Sequence, residues 1–374
     1  MQENRAASRL LRGAVILTLA AVASKLIGTL QKIPLQNIGG DGVFGIYNTV
    51  YPFYTLLITI AAAGFPAAIS KFVAEYEAVG NQAAGQRVAR LSSLVLGIFG
   101  LVLGVLMYTC APLISLWIDN AHVIPSVRAA AVAFLFVPVM AGLRGYFQGL
   151  QNMIPTAVSQ VTEQAVRVSV MIILLLLMLS QGAGADMIAA GAVFGSAAGG
   201  AAGLVVMLLF WRNHRKKLQS QGRLSEQASQ PDGKIEQRAM QETASGRADA
   251  LKTRTGHLEN GSRAVVSGVL ESAAGAVQQR AGEAHITESY GSLLKALLRY
   301  ALPVCLGALA VPLISLVDTF TVPRLLKQEG LDDTAAMVAF GVYNRGLPLV
   351  QLVMMFATTL SALFIPSLAE ARVT

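Results

Sequence analysis

The chain has 374 residues, 54% of them hydrophobic and only 13% charged, with a mean hydropathy of +0.56 and a formal net charge of +8. A soluble domain carries about 25% charged residues, so this composition excludes an ordinary soluble protein, the more so because many charges fall in one stretch, Arg212 to Glu288. The excess of Lys and Arg is that of basic residues retained on cytoplasmic loops. No helix-turn-helix or RNA-binding signature points to a nucleic-acid partner.

A membrane-crossing helix needs about 20 apolar residues at about 1.5 Å each. Eight segments reach that length, approximately 10–31, 43–66, 88–115, 124–147, 155–180, 187–211, 295–322 and 337–366. The first follows Arg5, Arg9 and Arg12 and passes an Ala21-Val22-Ala23 triplet that resembles a signal-peptidase site. The apolar pattern continues through Lys25 to Leu30, so a retained span is expected rather than a cleaved leader.

Basic residues near the segment ends set the expected orientation. Arg5, Arg9 and Arg12, then Lys71, Arg87 and Arg90, then Arg144, then Arg212, Arg215, Lys216 and Lys217 mark one side. The alternate connections carry Lys32 with Asp41, Asp119 and Asp186. An N-terminus on the cytoplasmic side of the membrane follows. Residues 212–290 are rich in Gln, Ser, Gly, Arg and Glu, a composition that cannot bury enough apolar surface to offset ordering entropy. They are expected to form a mostly disordered cytoplasmic loop between a six-helix lobe, 1–211, and two further helices in 291–374.

Phe44-Gly45-Ile46-Tyr47-Asn48 recurs as Phe340-Gly341-Val342-Tyr343-Asn344, each followed at the same distance by a proline, Pro52 and Pro348. The two copies lie in segments two and eight, which share an orientation. This predicts a parallel repeat of the kind found in transporters that rock two halves about a central site. A second full repeat needs four more spans than the chain holds, so the sequence is expected to be truncated.

Ionisable groups deep in a span cost about 2.5–3.5 kcal/mol on insertion scales and tend to face cavities or one another. Glu163 and Arg167 are four residues apart and share a helical face. They read equally well as a cavity cation with its steadying carboxylate and as a plain helix-locking ion pair. Lys25, Arg345 and Arg144 are further cavity candidates, against interface snorkelling for Lys25 and a positive-inside anchor for Arg144. Asp318 is expected to cap or pair locally. Gly191, Gly195, Gly199 and Gly203 form a small-residue stripe for close helix packing. Pro52, Pro138, Pro303, Pro312 and Pro348 are expected to kink their spans.

Cys110 and Cys305 lie in apolar segments, the four histidines lack metal-ligand spacing, and no phosphate-binding loop, nucleophile elbow or paired-carboxylate motif appears. No catalytic residue, cofactor or metal is therefore expected.

Several blocks resemble a known family: Lys25-Leu26-Ile27-Gly28 with Ile33-Pro34-Leu35; Gly45-Ile46-Tyr47-Asn48 with Tyr51-Pro52; Ala63-Gly64-Phe65-Pro66; Gly145-Tyr146-Phe147-Gln148-Gly149 through Pro155; Glu163 with Arg167; and Val317-Asp318-Thr319-Phe320. They are similar to the polysaccharide exporter family of the multidrug/oligosaccharidyl-lipid/polysaccharide (MOP) exporter superfamily, the group of stage V sporulation protein B and lipid II flippase-like proteins. The resemblance implies an all-α membrane protein with a MATE/flippase-like helical bundle, here one six-helix lobe plus the first two helices of an incomplete second. It implies export of an undecaprenyl-linked oligosaccharide or cell-wall precursor by alternating access. Lys25, Asn48, Arg144, Glu163, Arg167, Asp318, Asn344 and Arg345 are then the candidate cavity residues, with a lipid-linked glycan, the bilayer and cell-wall synthesis enzymes as candidate partners. A drug/cation antiporter of the same fold is the second expectation, and a non-transporting membrane fragment the third.

Overall fold

The computed structural model describes residues 2–229, 290–346 and 350 of the chain. These residues are helical throughout, with no strand among them: α1 (Gln2–Leu30), α2 (Lys32–Ala62), α3 (Phe65–Ala78), α4 (Gln82–Thr109), α5 (Ala111–Ile118), α6 (Ile124–Ala131), α7 (Val137–Gly149), α8 (Ile154–Ser180), α9 (Ala185–Ser229), α10 (Tyr290–Ala308), α11 (Ala310–Gln328) and α12 (Asp333–Tyr343). Six helical stretches among them are long and apolar enough to cross a membrane, the first of which, Val15–Ala78, runs through α1, α2 and α3. Its 64 residues make about 96 Å of helix, more than one bilayer crossing. The protein is an all-α, multi-pass membrane protein.

Several of the helix breaks have proline chemistry as their cause. Proline lacks an N–H and its ring clashes with the carbonyl four residues back. Pro34 accordingly ends α1 near Leu30, and Pro312 splits the single span expected over 295–322 into α10 and α11 at Leu309. The spans expected over 88–115 and 124–147 divide at Cys110, before Pro112, and around Phe136, before Pro138. Pro52 and Pro303 are instead carried inside helical stretches of α2 and α10, and α2 breaks at Gly40 rather than at Pro52. The start of the eighth expected span forms α12, and the remainder with Pro348 lies outside the described residues. Of the expected 212–290 loop, the residues to Ser229 are helical in α9, against the expectation of disorder from 212; residues 230–289 lie outside the described residues.

The fold divides into two units, residues 1–208 with 289–374, and residues 209–288. The second unit is described only over the end of α9. In the first unit, α2 is apolar nearly all round and is therefore buried on most sides. Its Val43, Phe44, Ile46, Tyr47, Val50 and Phe53 join Phe134 of the α6–α7 connection, Met171 and Leu175 of α8, Ala189 and Val193 of α9, and Met337 of α12 in one core. Large apolar side chains such as Leu94, Val102 and Val105 on α4, Ile173 on α8, and Leu302 and Ile314 on α10 and α11 are exposed. Apolar surface of that extent suits lipid contact.

The repeat is visible in the packing. Asn48 Nδ2 donates to the Phe44 carbonyl and Asn344 Nδ2 to the Phe340 carbonyl, both at 2.8 Å. The two copies also cross at their glycines. A Cβ on Gly45 would strike the carbonyl of Met337, and one on Gly341 would strike the carbonyl of Asp41. Met337 and Asp41 each lie four residues before the facing glycine, so the contact is reciprocal. With Asp41 opposite Arg345 and Thr49 opposite Met337, the helices run antiparallel where they cross, against the shared orientation expected from the repeat. The flanking pairs obey the same relation: Arg345 forms an ion pair with Asp41, and Thr49 Oγ1 lies 3.7 Å from Met337 Sδ.

Further links join α11 to the α5 end. Arg324 donates to the Trp117 carbonyl at 2.5 Å, and Lys327 pairs with Asp119 and with Asp333. Desolvation alone would lower the Lys327 pKa, but hydrogen bonds and charge from Asp333 and Asp119 outweigh it and hold the ammonium above its ordinary value.

Candidate functional site

Three charged side chains from α7 and α8 meet in the first-repeat helices. Glu163 Oε1 accepts from Arg167 Nη2 at 2.6 Å, and Oε2 accepts from Arg144 Nη2 at 3.0 Å. Arg144 also donates through Nε and Nη2 to Ser159 Oγ at 3.1 and 2.8 Å, and Ser159 Oγ donates to the Gly203 carbonyl at 3.3 Å. Ser159, Glu163 and Arg167 are spaced by four and form one row along α8.

The side chains of Arg144, Glu163 and Arg167 are 17%, 12% and 12% exposed. Desolvating such charges is costly unless each is paired and hydrogen-bonded, and here one carboxylate serves two guanidinium groups. The cluster keeps a net positive charge. Arg167 Nε is buried with no hydrogen-bond partner among the described residues. Tyr47 and Tyr54 of α2 lie close enough to Arg167 to interact with its charge.

The glycine stripe of α9 makes the cluster possible. A Cβ at Gly195 would lie 2.7 Å from the Arg167 carbonyl, and one at Gly199 would lie 2.5 Å from the Glu163 carbonyl. Only glycine lets α9 approach the backbone that carries the charges.

A second group forms around a cavity of about 310 Å³ between the repeat copies, lined among others by Lys32, Asn48, Tyr51, Ser315, Asp318 and Asn344. Asp318 neither caps a helix nor forms an ion pair among the described residues; it faces this space, unlike the local role expected for it. An apolar groove of about 340 Å³ lies beside it, where Phe53, Leu103, Met107 and Trp117 of the first repeat meet Leu316 and Phe320 of α11. Phe53 and Phe320 pack edge to face at 5.3 Å.

The eight sequence candidates thus fall into separate places. Arg144, Glu163 and Arg167 converge in the ion cluster, and Asn48, Asp318 and Asn344 line the cavity. Arg345 is engaged with Asp41 at the repeat crossing. Lys25 is exposed on α1 and joins neither group. Sequence reasoning missed Ser159, although its place in the four-residue row with Glu163 and Arg167 was a usable signal. It also missed Asp41, which lies four residues before the repeated Gly45, and Lys32, for which an isolated connection lysine gives no signal.

Comparison with known proteins places this geometry in context. The polysaccharide biosynthesis protein family model matches residues 10–229. An uncharacterized membrane protein of Bacillus subtilis (strain 168), YabM, is 29% identical over 360 residues, covering 96% of this chain and 56% of YabM. From the same organism, the lipid II flippase MurJ is 34% identical over 223 residues, 56% of this chain and 41% of MurJ. Stage V sporulation protein B is 31% identical over 204 residues, 54% of this chain and 39% of that protein. The chain spans about half the length of the curated relatives it matches. Among solved structures, a MOP superfamily transporter from Pyrococcus furiosus aligns over 95% of this chain and 81% of its own, at 15% identity and a TM-score of 0.44.

Proposed function

Because this chain belongs to the polysaccharide biosynthesis protein family, we propose that it is a transporter, not an enzyme, and moves an undecaprenyl-linked oligosaccharide or cell-wall precursor outward across the bacterial cytoplasmic membrane. The observation that carries this reading is the Arg144–Glu163–Arg167 cluster, two guanidinium groups on one carboxylate inside the helical bundle. A pyrophosphate-linked headgroup needs its negative charge compensated on the way through lipid. Arg167, with an unpartnered buried Nε, supplies that charge. The polyprenyl chain stays in apolar surroundings, for which the groove around Phe53 and Phe320 is suited. The membrane potential assists outward movement of an uncompensated anion by about 2.3 kcal/mol per charge per 100 mV.

The proposed domain plan is a first lobe of six spans over 1–211, a connecting segment over 212–290 and the start of a second lobe over 291–374, with the N-terminus in the cytoplasm. MurJ supports the substrate class through its name and similarity. Export by alternating access would separate the repeat copies that meet at Gly45 and Gly341. Cell-wall synthesis enzymes are the partners such a substrate calls for.

One observation favours a second reading, a drug/cation antiporter: Asp318 faces the cavity without an ion pair among the described residues. Expression of the full chain in a strain depleted of its lipid II flippase separates the two. On the flippase reading the chain restores growth, Arg167→Ala abolishes rescue at unchanged membrane level, and Asp318→Asn is the milder change. Full rescue by Arg167→Ala would remove that residue's assigned role.

A further inference from the structure

We propose that the cavity between the two repeat copies is a sugar-binding subsite that takes one pyranose ring of the transported headgroup. This rests on the transport reading above and assigns the neutral part of the substrate to a place apart from the arginine cluster.

The reasoning begins with the hydrogen-bonding inventory. The carboxamides of Asn48 and Asn344 each spend one N–H on the carbonyl four residues back. That bond fixes the orientation of the group and leaves a second N–H and the Oδ1 lone pairs for a ligand. Pro52, also in the cavity wall, has no N–H for the Asn48 backbone carbonyl, so that acceptor is freed as well. Ser315 Oγ donates to the Val311 carbonyl at 3.2 Å and retains its own lone pairs. Asp318 adds a carboxylate, Lys32 an ammonium, and Tyr51 an aromatic face.

Such a set discriminates between ligand classes. A diphosphate placed here would meet the Asp318 carboxylate, and a bare metal cation would meet the Lys32 ammonium. Either charge sign is opposed by one wall residue. A sugar hydroxyl donates and accepts at once, so it uses the carboxylate, amides and ammonium together. The ring's apolar face suits a tyrosine. At about 310 Å³ the space is at the lower end of the range for small-molecule sites, which fits one ring better than a whole oligosaccharide. Both repeat copies contribute the same asparagine, so the site requires the repeat crossing to be formed.

The test is a binding titration of the full chain in detergent micelles with two probes, a polyprenyl diphosphate and the same lipid carrying one N-acetylglucosamine. The glycosylated probe is expected to bind more tightly. Asn48→Ala, Asn344→Ala and Ser315→Ala, each checked for unchanged thermal stability, should each weaken it by about 3- to 10-fold, the worth of one hydrogen bond, and leave the bare diphosphate unaffected. Arg167→Ala should weaken both probes alike. Equal affinity for the two probes, or equal losses on both in the asparagine and serine variants, would overturn the sugar subsite alone. Failure of both probes to bind the unaltered chain would overturn the transport reading with it.

Discussion

Gly45 and Gly341 face each other across the crossing of α2 and α12, each so close to the other helix that a Cβ would strike a carbonyl four residues before its partner. The relation is reciprocal, and the pairs Asp41–Arg345 and Met337–Thr49 extend it on either side. A repeated pentapeptide thus becomes a pseudo-twofold contact.

Overpacking a tight contact typically costs about 1–3 kcal/mol. Gly45→Ala and Gly341→Ala should each destabilise the protein by that amount, and the double variant by less than the sum, because both disturb one crossing. Thermal melting in detergent reads this out. Strict additivity, or a neutral Gly341→Ala, would mean that the crossing is not shared.

Arg345 is half exposed, so its pair with Asp41 should contribute less than about 1 kcal/mol to stability. Asp41→Asn is therefore expected to leave melting almost unchanged, and any effect on transport should be restored by exchanging the two charges, Asp41→Arg with Arg345→Asp. A large stability loss in Asp41→Asn would contradict an exposed link.

The ion cluster behaves differently. Glu163→Gln leaves two arginines facing each other with no carboxylate between them. Breaking a buried pair costs about 3–5 kcal/mol, discounted here to about 1–3 kcal/mol for residual solvent access. Glu163→Gln should lower stability more than Arg144→Gln, which leaves Glu163 still paired with Arg167. The reverse order, measured by melting, would mean that Glu163 is not the hub.

For Lys327, a pKa raised in the folded protein means that its stabilisation is fully present below the ordinary lysine value of 10.5 and is lost as pH climbs through the raised one. The melting difference between the unaltered protein and Lys327→Met should hold steady from neutral pH to about 10 and shrink only above it. A difference that disappears by pH 9 would exclude the carboxylate contacts as its source.

Topology is tested by single cysteines in a background where Cys110 and Cys305 are serine. In intact cells, a membrane-impermeant maleimide should label Gln181→Cys and spare Gln82→Cys until the membrane is permeabilised. The opposite pattern would reverse the orientation.

Much of this architecture was legible in the sequence because lipid imposes it. Run length located the crossings, and the four-residue glycine spacing on α9 announced a close approach. The Glu163–Arg167 pair was visible for the same reason, since one helical face carries both. Arg144 was recognisable as a candidate but not as a partner of Glu163, because nothing local tells which face of α7 meets α8. The split of α10 from α11 followed from Pro312, yet Pro52 stays inside helix and α2 breaks at Gly40 instead, so proline alone does not decide. The crossing of Gly45 on Gly341 joins positions almost 300 residues apart and had only the repeat as its signal. Lys25 shows the limit most plainly: a lysine within an apolar run can face the bundle or its surroundings, and here it is exposed.

The central claim is that this chain moves a lipid-linked glycan across a bilayer through a path that uses Arg167. Vesicles containing the full chain, with a polyprenyl-diphosphate-linked N-acetylglucosamine confined to one leaflet, allow transfer to be followed by an impermeant glycan-binding protein on the other side. Transfer well above that of empty vesicles, lost in Arg167→Ala, is the predicted result. Transfer no faster than in empty vesicles, or undiminished in Arg167→Ala, would contradict it.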